Sequence, residues 1–336
     1  MAGNAQQKRK LLVLKEILER CSDEEHPMTA SELGEELSKA GISANRKSIY
    51  SDIEVLRSYG MDILNVFVPK RGYYLATRSF EIPQVRLLMD AVRAADFITA
   101  KKSHELIDRL GELVSEHQRE QINSQIYIDD SRKHTNEEIY YSIDAASDAI
   151  VRGRKIQLTY FRRQMDEQGG VCMQSREFII SPYAMMWNND HYYLIGNNEK
   201  YDNLMHLRMD RMKKVTVLER AARSFEEVSE YRGHFDTADY ASKIFHAFGG
   251  EVEQVELRCR RDFLEEMIDC FGPELSLKTS GKDHFTFQVP VVVSEGFIGT
   301  ILSFGDKVEV LTPRSVRQRV MDSLAPLIQR YGLCNS

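Results

Sequence analysis

Ser43-Ala-Asn-Arg-Lys-Ser-Ile-Tyr-Ser-Asp-Ile-Glu-Val-Leu-Arg-Ser-Tyr-Gly60, continued by Met61-Asp-Ile-Leu-Asn-Val-Phe-Val-Pro-Lys-Arg-Gly-Tyr-Tyr-Leu75, is the stretch whose reading decides the fold. On a helix of about 100° per residue, Ile49, Ile53 and Leu56 fall on one side and must face a core. Lys47, Ser51, Glu54 and Ser58 lie opposite, with Arg46, Tyr50 and Arg57 on one flank and Ser48 on the other. Ser43 can cap this helix and Gly60 can end it. Residues 61–68 and 73–77 then read as strands around a turn at 69–72.

Working outward, Leu11, Leu14, Ile17 and Leu18 have helical spacing. Thr29-Ala-Ser-Glu32 is a capping box that opens a second helix, stopped by Gly41. Three helices and a hairpin in this order predict a winged helix-turn-helix, which carries its third helix into the major groove of duplex DNA. Outward residues in the first turns of that helix suit base edges: Lys47, Tyr50 and Ser51. Arg46, Ser48, Arg57, Lys70 and Arg71 suit phosphates. Between Ser43 and Arg78 six cations face three carboxylates, a net of +3, while the whole chain has 45 Lys and Arg against 51 Asp and Glu, a net of −6. Positive charge is thus concentrated where a DNA partner would need it, and the acidic total argues against coating of nucleic acid along the whole length. A solvated basic helix on an ordinary three-helix domain is the bland alternative.

A length of 336 residues calls for several cores. A helical connector is expected at 79–152, with Val85, Leu88, Met89 and Val92 on one face and Leu106, Leu110, Leu113 and Val114 on another. Thr135-Asn-Glu-Glu138 reads as a second capping box. After Gly153 the period becomes strand-like, with strands at 155–163, 175–183, 191–197, 203–209 and 215–218, which suggests a small barrel. Trp187 is expected to pack, as is Tyr192. Residues 223–250 read as a polar, partly helical linker. From 251 the order is β-α-β-β-α-β, the split βαβ arrangement of ferredoxin-like domains, with a second strand at 274–278. Pro313 opens a last helix. The expected class is therefore α+β and multidomain: 1–78, 79–152, 153–222, 223–250 and 251–336.

In the strand at 203–209, Leu207 and Met209 share the core face, so His206, Arg208 and Asp210 share the other. Tyr193 stands on the polar face of the preceding strand. Tyr193, His206 and Arg208 together can hold an anion with the tyrosine ring as a stacking platform, which suits single-stranded nucleic acid or a nucleotide. Arg208 and Asp210 can equally pair with each other, and His206 can equally be bonded within the barrel.

The third helix with Gly72-Tyr-Tyr-Leu75 resembles the N-terminal winged helix of bacterial WYL-domain transcriptional regulators; Ser51 stands where members often carry arginine. Ser181-Pro-Tyr183, His191-Tyr-Tyr-Leu-Ile-Gly196 and Asn203-Leu-Met-His-Leu-Arg-Met-Asp-Arg-Met212 resemble the WYL domain itself, with Tyr192 at the tryptophan position. The resemblance continues into the family's C-terminal WCX extension. It implies an Sm-like barrel that senses a nucleic-acid or nucleotide effector through Tyr193, His206, Arg208 and Arg211, and a homodimer on a double-stranded DNA operator. Alternatives are an RNA- or single-strand-binding accessory protein acting through the barrel, and a small-metabolite sensor.

Five scattered cysteines, Cys21, Cys172, Cys259, Cys270 and Cys334, lack metal-site spacing and read as free thiols in a reducing compartment. The polar start and the lack of a long apolar run point to a cytoplasmic protein with no membrane contact. No phosphate loop, nucleophile elbow or HExxH motif occurs, so no enzyme, metal or cofactor is expected.

Overall fold

The structure is a computed structural model that describes residues 2–68, 70–124, 133–188, 190–229 and 252–332. Most of the 223–250 linker, Pro69 and Cys334 lie outside the described residues. The chain forms two compact units, 1–135 and 136–336.

The first unit begins with α1 (Ala2–Cys21), α2 (Ala30–Lys39) and α3 (Arg46–Ser58), followed by β1 (Ile63–Val66) and β2 (Gly72–Leu75). Leu14, Leu18, Leu33, Leu37, Ile49 and Ile53 meet in one core, as the helical spacing requires. The Thr29–Glu32 capping box forms: Thr29 N donates to Glu32 Oε2 at 2.7 Å, and Glu32 N donates to Thr29 Oγ1 at 3.2 Å. The cap of α3 is Asn45, not Ser43; its side chain accepts from Ser48 N at 2.9 Å. The antiparallel hairpin pairs Ile63 with Leu75 and Val66 with Gly72. It gains a third edge where Met28 and Tyr73 exchange backbone bonds of 2.8 and 2.7 Å. Gly72 permits that approach, since a Cβ there would lie 2.8 Å from Met28 O.

Three further helices, α4 (Ile82–Ala94), α5 (Ala100–Gly111) and α6 (Glu116–Ser124), close over Val85, Met89, Ile107, Val114 and Ile122. Leu88 turns outward instead, 40% exposed. These helices are tied to the winged part of the same unit: Ser115 Oγ donates to the buried Asp23, and His117 stacks on His26 at 3.8 Å. Burial works to raise the Asp23 carboxyl, but hydrogen bonds from Ser115 and His26 outweigh it and hold it below the usual range.

The second unit opens with α7 (Ile139–Arg152). The box at Thr135–Glu138 does not form; Asn136 is drawn inward instead, and its Nδ2 donates to Asp210 O at 3.0 Å and Met212 O at 2.7 Å. α7 packs Ala146 and Ala149 on the sheet that follows, so the helix assigned to the connector belongs to the barrel's core. That sheet contains β3 (Arg154–Met165), β4 (Val171–Asn188), β5 (His191–Asn197), β6 (Met205–Arg208) and β7 (Met212–Ala221), in the order β6-β5-β4-β3-β7. It is a meander whose last strand returns beside the first. Ile156, Leu158, Tyr160, Ile180, Leu194, Leu207, Met209 and Met212 fill its interior. Gly196 is dictated by packing, because a Cβ there would lie 2.5 Å from Ile180 Cγ2 and 2.9 Å from Ser181 O. Trp187 is 49% exposed rather than packed.

The last domain contains β8 (Val252–Arg260), α8 (Leu264–Phe271), β9 (Lys278–Ser280), β10 (His284–Val292), α9 (Glu295–Ser303), β11 (Val308–Thr312) and α10 (Arg314–Tyr331). Its sheet order, β11-β8-β10-β9, inserts β10 between β8 and β9, the split βαβ arrangement. The second strand falls at 278–280 rather than 274–278 because it pairs only with the start of β10. Phe285, Phe287 and Val291 alternate into the core against Phe297, Ile298 and Ile301. On the opposite face Val292 packs with Ala184, Met186 and Ile195 of the barrel.

Candidate nucleic-acid interface and barrel face

The outward surface of α3 is set by its core side. With Ile49, Ile53 and Leu56 buried, Arg46, Lys47, Tyr50 and Ser51 are exposed on the first turns. Arg46 and Lys47 have no carboxylate partner among the described residues. Asp52, a carboxylate that lowers the sequence charge of this stretch, is buried and bonded by Lys10 Nζ at 2.6 Å. The exposed face is therefore more positive than the sequence count. Tyr50 leans toward the wing, its ring 6.1 Å from that of Tyr73.

Other residues assigned to phosphates have partners within the unit. Ser48 is half-buried and accepts from Lys10 Nζ. Arg57 donates through Nε to Ile63 O at 2.8 Å and through its terminal nitrogen to Glu54 at 2.6 Å, with its guanidinium over Tyr73. It fixes the root of the wing to α3. Lys70 reaches Glu32 at 2.6 Å, the same carboxylate that caps α2. Arg71 lies over the Phe67 ring at 5.5 Å and has no carboxylate partner among the described residues. Of the cations assigned to DNA, Arg46, Lys47 and Arg71 are thus presented without a counter-charge among the described residues.

On the barrel, Tyr193 and Arg208 are direct cross-strand partners, as are Ile195 and His206. Arg208 holds Asp210 in a two-pronged bond, Nε to Oδ1 at 3.1 Å and the terminal nitrogen to Oδ2 at 2.6 Å. The side chain of Asp210 is fully buried and that of Arg208 is 22% exposed, so the sequence's structural alternative for this pair is present. Burial works against the Arg208 charge, and the bonded Asp210 more than restores it. Arg211 follows on the short turn of Met209–Arg211 and has no partner among the described residues. Asn136 clamps that turn from below, a role without a sequence signal because its acceptors lie more than seventy residues away.

His206 is half-buried at the Ile195 end of this face, and desolvation lowers its pKa to about 4. His191 was not singled out from sequence, yet it shares the face. Its ring stands edge-on to Tyr193 at 6.2 Å, and its buried Nδ1 has no hydrogen-bond partner among the described residues. Burial, then the cations Arg208 and Arg211, push its pKa down. The position two before Tyr193 on one strand is the signal that would have found it. The Tyr193 ring is itself buried rather than an open platform, so the part of this face that solvent reaches is the partly exposed His191 imidazole and Arg208 guanidinium, which suit an anion.

Among the described residues, Cys21, Cys172, Cys259 and Cys270 are free, no helix is long and apolar enough to cross a membrane, and no cluster of His, Cys, Asp or Glu is arranged for a metal.

A winged three-helix module, a five-stranded meander sheet and a split βαβ domain in one chain define a multidomain α+β protein. Residues 142–217 match the WYL domain and residues 251–327 the WCX domain, so the chain carries both domains. Among solved structures it is similar to proteasome accessory factor B/C (PafBC) of Arthrobacter aurescens, with 15% identity, 96% of this chain and 49% of that chain covered, and a TM-score of 0.28. A CRISPR Cas-related protein is similar at 12% identity, 97% and 85% coverage and a TM-score of 0.37. The chain spans about half the length of the PafBC chain. Likeness at this level carries nothing about activity. No curated protein matches the chain.

Proposed function

We propose that this chain is a transcription regulator that binds a duplex DNA operator as a homodimer, acts by binding rather than catalysis, and responds to a nucleotide or nucleic-acid effector at the barrel. The observation that carries the DNA reading is the N-terminal surface of α3, where Arg46 and Lys47 stand exposed beside Tyr50 and Ser51, without counter-charges among the described residues. In a major groove the first turns of a recognition helix meet base edges, so Lys47, Tyr50 and Ser51 read sequence. Arg46 and Arg71 meet phosphates. Ser48, Arg57 and Lys70 support this surface through Lys10, the wing root and Glu32. One such helix reads few bases, and two related by a dyad extend the site.

The effector reading rests on Tyr193, Arg208 and Arg211, with His191 and His206 at the two ends of the face. Arg211 has no partner among the described residues and can meet an anion, while Arg208 is shared with Asp210. Selection of duplexes from a random pool, followed by affinity measurements on Lys47→Ala/Tyr50→Ala, tests the DNA reading. Binding to a selected duplex that survives both substitutions unchanged would overturn it and favour a barrel acting alone on single strands.

A further inference from the structure

β3 and β4 outrun the barrel. β3 pairs with β7 as far as Tyr160–Met212, and β4 pairs with β5 only from Ser181 onward. Beyond those points the two strands form an arm of their own, in register from Tyr160–Arg176 to Met165–Val171. Alternation puts Tyr160, Arg162 and Gln164 on the same side as Gln174, Arg176 and Phe178. These six line a cleft of about 100 Å³. The volume is that of about three waters in the liquid, enough for a phosphate or the edge of a base.

The chemistry of the cleft is one-sided. Tyr160 and Phe178 meet edge to face at 6.0 Å and form its floor. The Arg162 guanidinium lies over the Tyr160 ring at 5.6 Å, and Arg176 has no ion-pair partner among the described residues. The two glutamines supply both donors and acceptors. The only carboxylate in these two strands, Glu177, is on the opposite face, and Asp166 at the tip is bonded to Gln168 N and Gly170 N.

The cleft also touches the effector face. The Tyr160 hydroxyl accepts from Arg208 N at 3.3 Å, and Tyr160 pairs with Met212, the residue after Arg211. We propose that the inner face of the β3–β4 arm is a second subsite for a nucleotide unit, with Arg162 and Arg176 on phosphate and Gln164 and Gln174 on base edges, continuous with the Tyr193–Arg208 face. This rests on the nucleotide reading of that face. The full effector site then holds a ligand with more than one nucleotide unit, in which successive phosphates meet Arg211 and the arm.

Titration of the full chain with hexathymidylate and, in parallel, with thymidine monophosphate tests this, using Arg162→Gln/Arg176→Gln and, separately, Arg211→Ala. All three residues are solvent-accessible, and unchanged melting temperatures confirm folding. Each variant is expected to weaken hexathymidylate about tenfold or more, consistent with loss of charged hydrogen bonds. The arm variant is also expected to flatten the salt dependence by about 1.4 log units per log unit, for two single-strand phosphate contacts. Wild-type binding of hexathymidylate with full affinity in the arm variant overturns the subsite and leaves the effector reading intact if Arg211→Ala still weakens it. Equal affinity for the mononucleotide and the hexanucleotide assigns a free nucleotide as the source and overturns the extended site. Absence of binding by either probe overturns both the subsite and the reading on which it rests.

Discussion

Arg208 carries two demands at once. Its guanidinium is the counter-charge for a fully buried Asp210, and its backbone pairs across the strands with the buried Tyr193. Removing one partner of a buried pair leaves the other charge uncompensated. Arg208→Ala is therefore expected to cost about 2 to 4 kcal/mol of stability, read by denaturant unfolding. Arg211→Ala is expected to leave the unfolding midpoint in place while weakening effector binding, because Arg211 has no partner in the fold among the described residues. An Arg211→Ala variant that binds effector normally would remove this residue from the site. His206 gives a pH test. Its folded pKa of about 4 lies below that of the unfolded side chain. The unfolded chain thus takes up a proton first, and stability falls as pH drops from about 6.5 toward 4, by at most about 3 kcal/mol. In His206→Asn that part of the decline is expected to vanish; a curve superimposable on wild type between those pH values would contradict the assignment. The alternation of Leu207 and Met209 with His206 and Arg208 was legible in sequence because a strand has period two. The partner that occupies Arg208 was legible only as an alternative. Ser48 and Arg57 were harder to place, because Lys10 and the carbonyl of Ile63 come from other elements and leave no local pattern.

At the scale of elements, capping decides where α3 starts and therefore which residues fall on its first, outward turn. Asn45→Ala is expected to cost about 1 kcal/mol through loss of the bond to Ser48 N, whereas Ser43→Ala is expected to change stability by less than about 0.5 kcal/mol. The opposite ranking in thermal melts would return the cap to Ser43. Gly72→Ala pushes a methyl group into Met28 and breaks the strand contact behind the wing, with an expected cost of about 1 to 3 kcal/mol. The helices, the hairpin, the barrel strands and the split βαβ order were all readable, because each has a strong period and clear punctuation. The start of α7 was not. Thr135–Glu138 has the residues of a capping box, but Asn136 is spent on the carbonyls of Asp210 and Met212. A local motif loses to a buried tertiary bond that satisfies two acceptors. The exposed arm of β3 and β4 leaves no sequence signal, because its pattern of arginine, glutamine and aromatic residues becomes a cleft only once the register is known.

At the scale of the whole molecule, the proposed DNA-reading surface lies in the first unit and the proposed effector face in the second. An acidic total charge is compatible with this because Lys10 neutralises Asp52 inside the winged module, while Arg46, Lys47 and Arg71 remain outside without counter-charges among the described residues. Homodimerisation predicts selected duplexes with two related half-sites about one helical turn apart, or a multiple of it. The measurement that bears most directly on the central claim is the affinity of full-length Lys47→Ala/Tyr50→Ala for a duplex selected by the wild-type chain, at fixed salt. Loss of base contacts is expected to weaken binding by about 2 kcal/mol or more, roughly thirtyfold, with the melting temperature unchanged. Affinity within twofold of wild type would contradict the assignment of α3 as the element that reads DNA.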